Sequence, residues 1–220
     1  MTIRNAASMG TFNSTWQIAG YAGQGNVHEL LGSLKGRVAI VVGSGKTVFK
    51  ELTRLNESSY SKIKWIEQGN AVIFAVNDVG MFLPRVDHWV SLHGANLAAW
   101  KRVRWLHPHP DEFTKYHSVD AYQDIDYVWA NLTPVFALSG YFAAQIAYIM
   151  GAERIILCGC PGDGTPRFYD LYSRKKEGMS FYDSDGVRQQ LEHEMKRLPE
   201  FKAKVCSMSG WTREFFGGLE

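Results

Sequence analysis

At 220 residues, with 45% hydrophobic and 21% charged side chains, the chain has the composition of an ordered globular domain, which excludes a disordered or low-complexity protein. A formal net charge of +2 gives no mandate for nucleic acid or a membrane surface as partner. The three cysteines, an odd number with two in one apolar run, favour free thiols in a reducing compartment over a disulfide framework.

Residues 1–26 are polar and glycine-rich and are expected to form an arm ahead of a single domain over 27–220. A short helix is expected over 28–35. VAIVVG (38–43) is a continuous β-branched run, the pattern of a strand covered on both faces, and a helix over 46–55 follows it. AVIFAVN (71–77) and DHWVSLH (87–93) repeat the strand pattern, the latter followed by a helix over 96–105. Residues 107–126 are polar, broken by two prolines, and carry no clear periodicity. A short strand is expected at 127–130. The small-residue-rich SGYFAAQIAYIMGA (139–152) reads as a helix packed on a sheet, with Ser139 as its N-cap and Gly151 as its stop. RIILCG (154–159) is a further buried strand. After a long loop, which could act as a lid over 160–184, come a helix at 186–197, a last strand at 203–209 and a terminal helical turn.

Buried strands alternating with helices predict an α/β fold: a doubly wound, mainly parallel sheet in a Rossmann-like three-layer αβα architecture. Such sheets bind ligands outside the carboxyl ends of their strands. The tips to inspect are therefore Gly43-Ser44-Gly45, Asn77-Asp78, Ser91 to His93, and Gly159 to Asp163.

GSGKT is not a Walker motif, because the first glycine that pattern requires falls on Ile40, inside the strand. The dinucleotide fingerprint fails too, since its third glycine would fall on Val48. What remains is a Gly-x-Gly turn whose backbone N–H groups can approach a phosphate at a helix N-terminus, against the plain alternative of a tight strand-to-helix turn. Asn77 offers a donor and an acceptor to a base or ribose, and equally an Asx turn. His93, at a strand tip, is a candidate general base or a packed histidine. His88 has odd spacing from it and points to the opposite face.

The pairs Asp124-Ile-Asp126 and Asp183-Ser-Asp185 match the D-x-D pattern that can hold a metal-bound diphosphate, but one lies in a polar linker and the other suits helix capping. Cys158-Gly-Cys160 is too closely spaced for a zinc knuckle, and His107-Pro-His109 has no cysteine partner nearby. No metal site is expected. The loop GCPGDGTPRFYDLY (159–172) carries Asp163, Arg167, Tyr169 and Tyr172, side chains suited to steadying a phosphate leaving group, or to anchoring a surface loop.

The order VAIVVGSG, AVND, then SGYFAAQIAYIMGAERIILCG resembles the bacterial sialyltransferases of glycosyltransferase family 42. It equally resembles the related domain of unknown function 115, which includes archaeal hydroxymethylpterin pyrophosphokinases; short phage-encoded members look nearest. The similarity spans 38–164, with an echo in CSMSGWTREF. The resemblance implies nucleotide contacts from Gly43, Ser44, Gly45, Asn77, Ser139 and Gly140, and phosphate contacts from Tyr169 or Tyr172; Asp78 at the same strand tip and Arg167 in the same loop are further candidates for the nucleotide and its phosphate from their positions alone. Two departures stand out: Lys46-Thr47 replaces the usual Pro-Ser, and the late His-Ser base has no match, His193 being the only histidine after Asp163.

The leading expectation is an enzyme that transfers a sugar from a nucleotide-activated donor, with a CMP-sugar favoured, no essential metal or cofactor, and His93 or Asp163 as base. A pyrophosphokinase using ATP and Mg²⁺, with Asp78 and Asp163 as acidic ligands, is the chemical rival. A non-catalytic phage structural or host-interaction module is the rival from another class. No run of about 18 apolar residues and no signal-peptide h-region is present, so a cytoplasmic location is expected, that of the host if phage-encoded. The acceptor and the oligomeric state leave no trace in the sequence.

Overall fold

The computed structural model describes residues 25–57, 71–104, 113–130, 132, 138–163, 167–169 and 185–219. Seven strands form one parallel sheet: β1 (Val38–Val42), β2 (Ala71–Val76), β3 (His88–Ser91), β4 (Lys115–Ser118), β5 (Tyr127–Val128), β6 (Arg154–Cys158) and β7 (Val205–Ser207). Their order is β5-β4-β3-β2-β1-β6-β7. The chain thus winds outward from β1 to β5, then returns to the other side of β1 for β6 and β7. The switch point lies between β1 and β6, whose registers pair Val38 with Arg154 and Val42 with Cys158.

Helices cover both faces, giving the expected three layers. They are α1 (Val48–Glu57), α2 (Gly94–Arg104), α3 (Ser139–Ile149), α4 (Asp185–Arg197), α5 (Pro199–Lys204) and α6 (Gly210–Phe216). The alternation along β1 shows why its sequence is apolar throughout. Ala39 and Val41 join the core beneath α3, α4 and α5, whereas Ile40 and Val42 join the core beneath α1 and α2. Each strand face has its own helical cover, so neither can be polar.

α3 carries small residues because it crosses the central strands; Ala143, Ala144 and Ala147 are at most 1% exposed. Its end is a Schellman motif. Gly151, at φ 90°, donates to Tyr148 O at 2.9 Å, and Ala152 donates to Ala147 O at 3.0 Å. Gly151 is therefore the expected stop. The start differs from expectation: Ser139 is the first helical residue, and Leu138 holds the cap position without a side-chain hydrogen bond.

Other boundaries shift for local reasons. Residues 28–35 hold a 3-10 turn (Val27–Leu30) rather than a helix, with the Asn26 side chain accepting from His28 N. β4 lies in the polar segment without periodicity. Its Tyr116 N donates to the Asp126 carboxylate at 2.7 Å, so Asp126 of the first D-x-D pair is a strand-pairing residue. Pro199 opens a separate helix that takes Ala203 and Lys204 from the expected last strand. Among the described residues no helix is long and apolar enough to cross a membrane.

Candidate functional site

A cleft open to solvent lies at the carboxyl ends of β1 and β6, where the winding direction switches. Gly43, Ser44 and Gly45 form its floor, with Asn77 from the β2 tip, Ser139 and Gly140 from the first turn of α3, and Gly159 to Gly162 after β6. Arg167 borders it on one side and Arg188, Trp211 and Thr212 on the other. The geometry thus brings together six of the seven expected nucleotide-contacting residues.

The glycine turn is built by close approach. A Cβ at Gly43 would lie 2.5 Å from Gly159 O and 2.7 Å from Cys160 Sγ; one at Gly45 would lie 2.8 Å from Gly159 O. Only glycine fits either position. Gly43 N donates to Cys158 O at 2.8 Å and Gly45 N to Gly159 O at 2.9 Å. Both glycine N–H groups are therefore spent on joining the two strand tips, which corrects the expectation that they face a phosphate. Ser44 lies between them at the cleft surface, and its carbonyl accepts from Phe168 N at 2.8 Å.

GSGKT is settled by its last two residues. Lys46 is exposed to solvent and does not line the cleft. The Thr47 hydroxyl bonds the Glu51 carboxylate through Oε1, while the other oxygen of Glu51 accepts from Gly159 N at 2.7 Å. Glu51, 6% exposed in the first turn of α1, ties the helix to the β6 tip. The turn is a structural joint, and its likeness to a Walker sequence has no counterpart in three dimensions.

Asn77 has φ 56°, a left-handed conformation that asparagine tolerates, and its carbonyl accepts the Trp89 indole N–H at 2.5 Å. Asp78 does not line the cleft. It is 6% exposed, and its Oδ2 takes Arg167 at 3.0 Å and the Tyr169 hydroxyl. Arg167 also reaches the Tyr169 hydroxyl at 2.5 Å and forms a β-bridge to Gly45. Burial, then the hydrogen bond to Asp78, pushes the Tyr169 phenol up to about 12, so it stays a neutral donor. Phe168 locks this segment down, with its ring 4.9 Å from Phe49 and 5.1 Å from Phe82, both edge-on.

The two candidate bases are not in this arrangement. His93 stands past β3, with a side chain 70% exposed and Nδ1 3.7 Å from Asp120 Oδ2. Asp163 lies against Gly210, where an added Cβ would meet Oδ2 at 2.6 Å. Neither lines the cleft. His88 is buried rather than solvent-facing, its Nδ1 2.8 Å from His117 Nε2. Tyr172, Asp183, His107 and His109 lie outside the described residues. Cys160 lines the cleft, but burial and the charge of Glu51 push its thiol up to about 12, so it is no nucleophile near neutral pH. Among the described residues no group of three or more His, Cys, Asp or Glu is placed to hold a metal ion.

The far wall lies outside the strand tips that the sequence singles out. Thr212 donates to Cys160 O at 2.7 Å, and its N–H reaches Pro161 O at 3.0 Å, stitching α6 to the loop after β6. Arg188 lies over the Trp211 ring at 5.2 Å. Two arginines and no carboxylate thus appear among the described lining residues; Arg167 is paired with Asp78 behind the lining, so it is Arg188 that gives the cleft its preference for an anionic ligand. Comparison with protein-family models, curated proteins and solved structures finds no match to this chain. The class defined by fold and site is a doubly wound α/β domain with a cationic cleft at its switch point.

Proposed function

We propose that the cleft binds a nucleotide-activated sugar and that the chain is a glycosyltransferase-like protein, with a CMP-sugar as the favoured donor. The observation that carries this reading is the switch-point cleft itself: it joins Ser44, Asn77, Ser139 and Gly140 to two arginines, with no acidic residue among the described lining. Ser44 and Ser139 offer hydroxyls to ribose or phosphate, and the Asn77 amide offers a donor and an acceptor to the base. Arg167, with Tyr169 beside it, is suited to neutralising charge on a departing phosphate.

Sugar transfer also requires a group that accepts the proton of the attacking hydroxyl. His93 and Asp163 are outside the described lining, which favours a second reading: a module that binds the nucleotide without turning it over. A pyrophosphokinase would recruit Asp78 to a metal–ATP complex and would first have to break its ion pair with Arg167.

A thermal-shift and calorimetric screen of CMP, a CMP-sugar, a UDP-sugar and ATP, each with and without Mg²⁺, tests the proposal. Stabilisation by CMP and its sugar without metal supports it. Stabilisation by ATP with Mg²⁺ alone replaces it by the kinase reading. Release of CMP from the bound CMP-sugar on adding acceptor glycans separates the transferase from the module.

A further inference from the structure

The half of the cleft remote from the glycine turn is walled by α3, α4 and α6. Tyr141 and Gln145, one turn apart on α3, are 6% and 3% exposed; the Gln145 side chain is the neighbour of the Tyr141 phenol, and Gln145 Oε1 is left without a partner. Arg188, in the first turn of α4, lines the same recess as Tyr141, and its Nε is also buried without a partner. No carboxylate among the described residues pairs with Arg188; Glu194, further along α4, pairs with Arg197 at 3.8 Å. Trp211 holds the guanidinium over its ring.

Buried polar groups are ordinarily hydrogen-bonded, so the unpartnered Arg188 Nε at the cleft wall needs an explanation. Arg188 and Tyr141 share one chemistry there. The guanidinium edge matches the paired oxygens of a carboxylate or phosphate, and the phenol adds a neutral donor. Leu191, Val205 and Phe216 supply the apolar wall that keeps such contacts strong.

We propose that Tyr141, Arg188 and Trp211 form a second anion subsite, which takes a carboxylate or phosphate group at the end of the ligand remote from the glycine turn. Arg167 is anchored on the β1 tip, and Trp211 follows β7, two strands away in the sheet. At roughly 4.8 Å per strand the two cations serve groups on the order of 10 Å apart. One ligand with two negative groups separated by a sugar-sized spacer fits that span. The assignment of the first group rests on the nucleotide reading; the subsite itself does not.

The experiment has two arms. In the first, thermal shift is measured with free glucuronate, inorganic phosphate and glucose on wild type, Arg188→Gln, Tyr141→Phe and Arg167→Ala. Glucuronate or phosphate is expected to raise the melting temperature of wild type and of Arg167→Ala, while glucose does nothing. Arg188→Gln abolishes that shift and Tyr141→Phe reduces it; which anion acts tells carboxylate from phosphate. In the second arm, calorimetry compares UDP-glucuronate with UDP-glucose, a pair differing only in the carboxylate. Where a UDP-sugar binds and glucuronate is the active anion, wild type prefers the charged sugar by roughly tenfold and Arg188→Gln loses the preference. The proposal is overturned if neither anion shifts wild type, or if the shift persists in Arg188→Gln. Anion shifts without any nucleotide binding leave the subsite standing and remove the nucleotide reading instead.

Discussion

Glu51 and Gly159 are joined by a 2.7 Å hydrogen bond from the β6 tip to the first turn of α1, across 108 residues of sequence. The other oxygen of the same carboxylate holds Thr47, so one buried side chain satisfies two donors at the edge of the cleft. Glu51→Ala strands both. Each orphaned donor, Gly159 N–H buried and the Thr47 hydroxyl half-buried, costs about 1–3 kcal/mol, so a loss of about 2–6 kcal/mol is expected in urea unfolding. Glu51→Gln keeps one acceptor oxygen and should lose less than half of that. Equal losses from the two variants would mean that the hydrogen bonds are not what Glu51 supplies.

Asn77 separates backbone shape from side-chain chemistry. Its φ of 56° is available to glycine without cost, so Asn77→Gly should leave stability within about 1 kcal/mol of wild type. If the amide reads the nucleotide, affinity for that ligand falls roughly tenfold in the same variant. Unaltered affinity by calorimetry would reduce Asn77 to a turn residue.

Lys46 and Arg167 make opposite predictions for phosphate binding. Lys46 is solvent-exposed outside the cleft, so Lys46→Ala should leave nucleotide affinity as it is at moderate salt. Arg167→Ala removes a cation that lines the cleft, and an affinity loss of about 1.5–3 kcal/mol is expected, the worth of a charged hydrogen bond. The reverse ranking would restore a phosphate-binding lysine to the GSGKT turn.

His88 and His117 set an acid limit on stability. Trp129 Nε1–H donates to His117 Nδ1 at 3.1 Å, which leaves the His117 proton on Nε2, facing His88 Nδ1 at 2.8 Å. Both rings are thus neutral. Burial, then Lys115 and Arg37, lowers His88 to about 3; burial, then His88 and Lys115, lowers His117 well below the ordinary value of 6.5. Below pH 6.5 the unfolded chain takes up two protons that the folded chain refuses, so stability falls as the medium is acidified. The slope approaches about 1.4 kcal/mol per pH unit per histidine, and the His88 share levels off near pH 3. Urea melts between pH 7 and pH 4 should show it. His88→Leu should roughly halve the slope; a pH-independent wild type would contradict the neutral pair.

The central sheet was legible because β1, β2, β3 and β6 are covered on both faces, which forces a run of apolar residues that little else in a sequence imitates. β4 was not, because Lys115, His117 and Ser118 read as polar. His117 is wholly buried all the same, made tolerable by Trp129 and His88. Most of the near wall of the cleft followed from the rule about strand tips. Arg188 and Trp211 did not, since they project from helices α4 and α6 rather than from a strand tip. His93 shows the limit of the same rule: it follows the carboxyl end of β3, two strands from β1 at the switch point, and its side chain points to solvent.

The sheet order has a kinetic consequence. β1, the first strand made, has β2 on one side and must wait for β6 on the other, because β6 is sixth in the chain and its neighbour in space. The contact between Gly45 and Gly159 closes only after that long excursion. Long-range parallel pairing of this kind carries a large loop-closure entropy and folds slowly. A nascent chain that ends before β6 has no partner for its glycine turn and lacks the cleft wall that follows β6. The binding site is thus among the last parts of the molecule to exist, and ligand affinity in a refolding experiment should report completion of the fold.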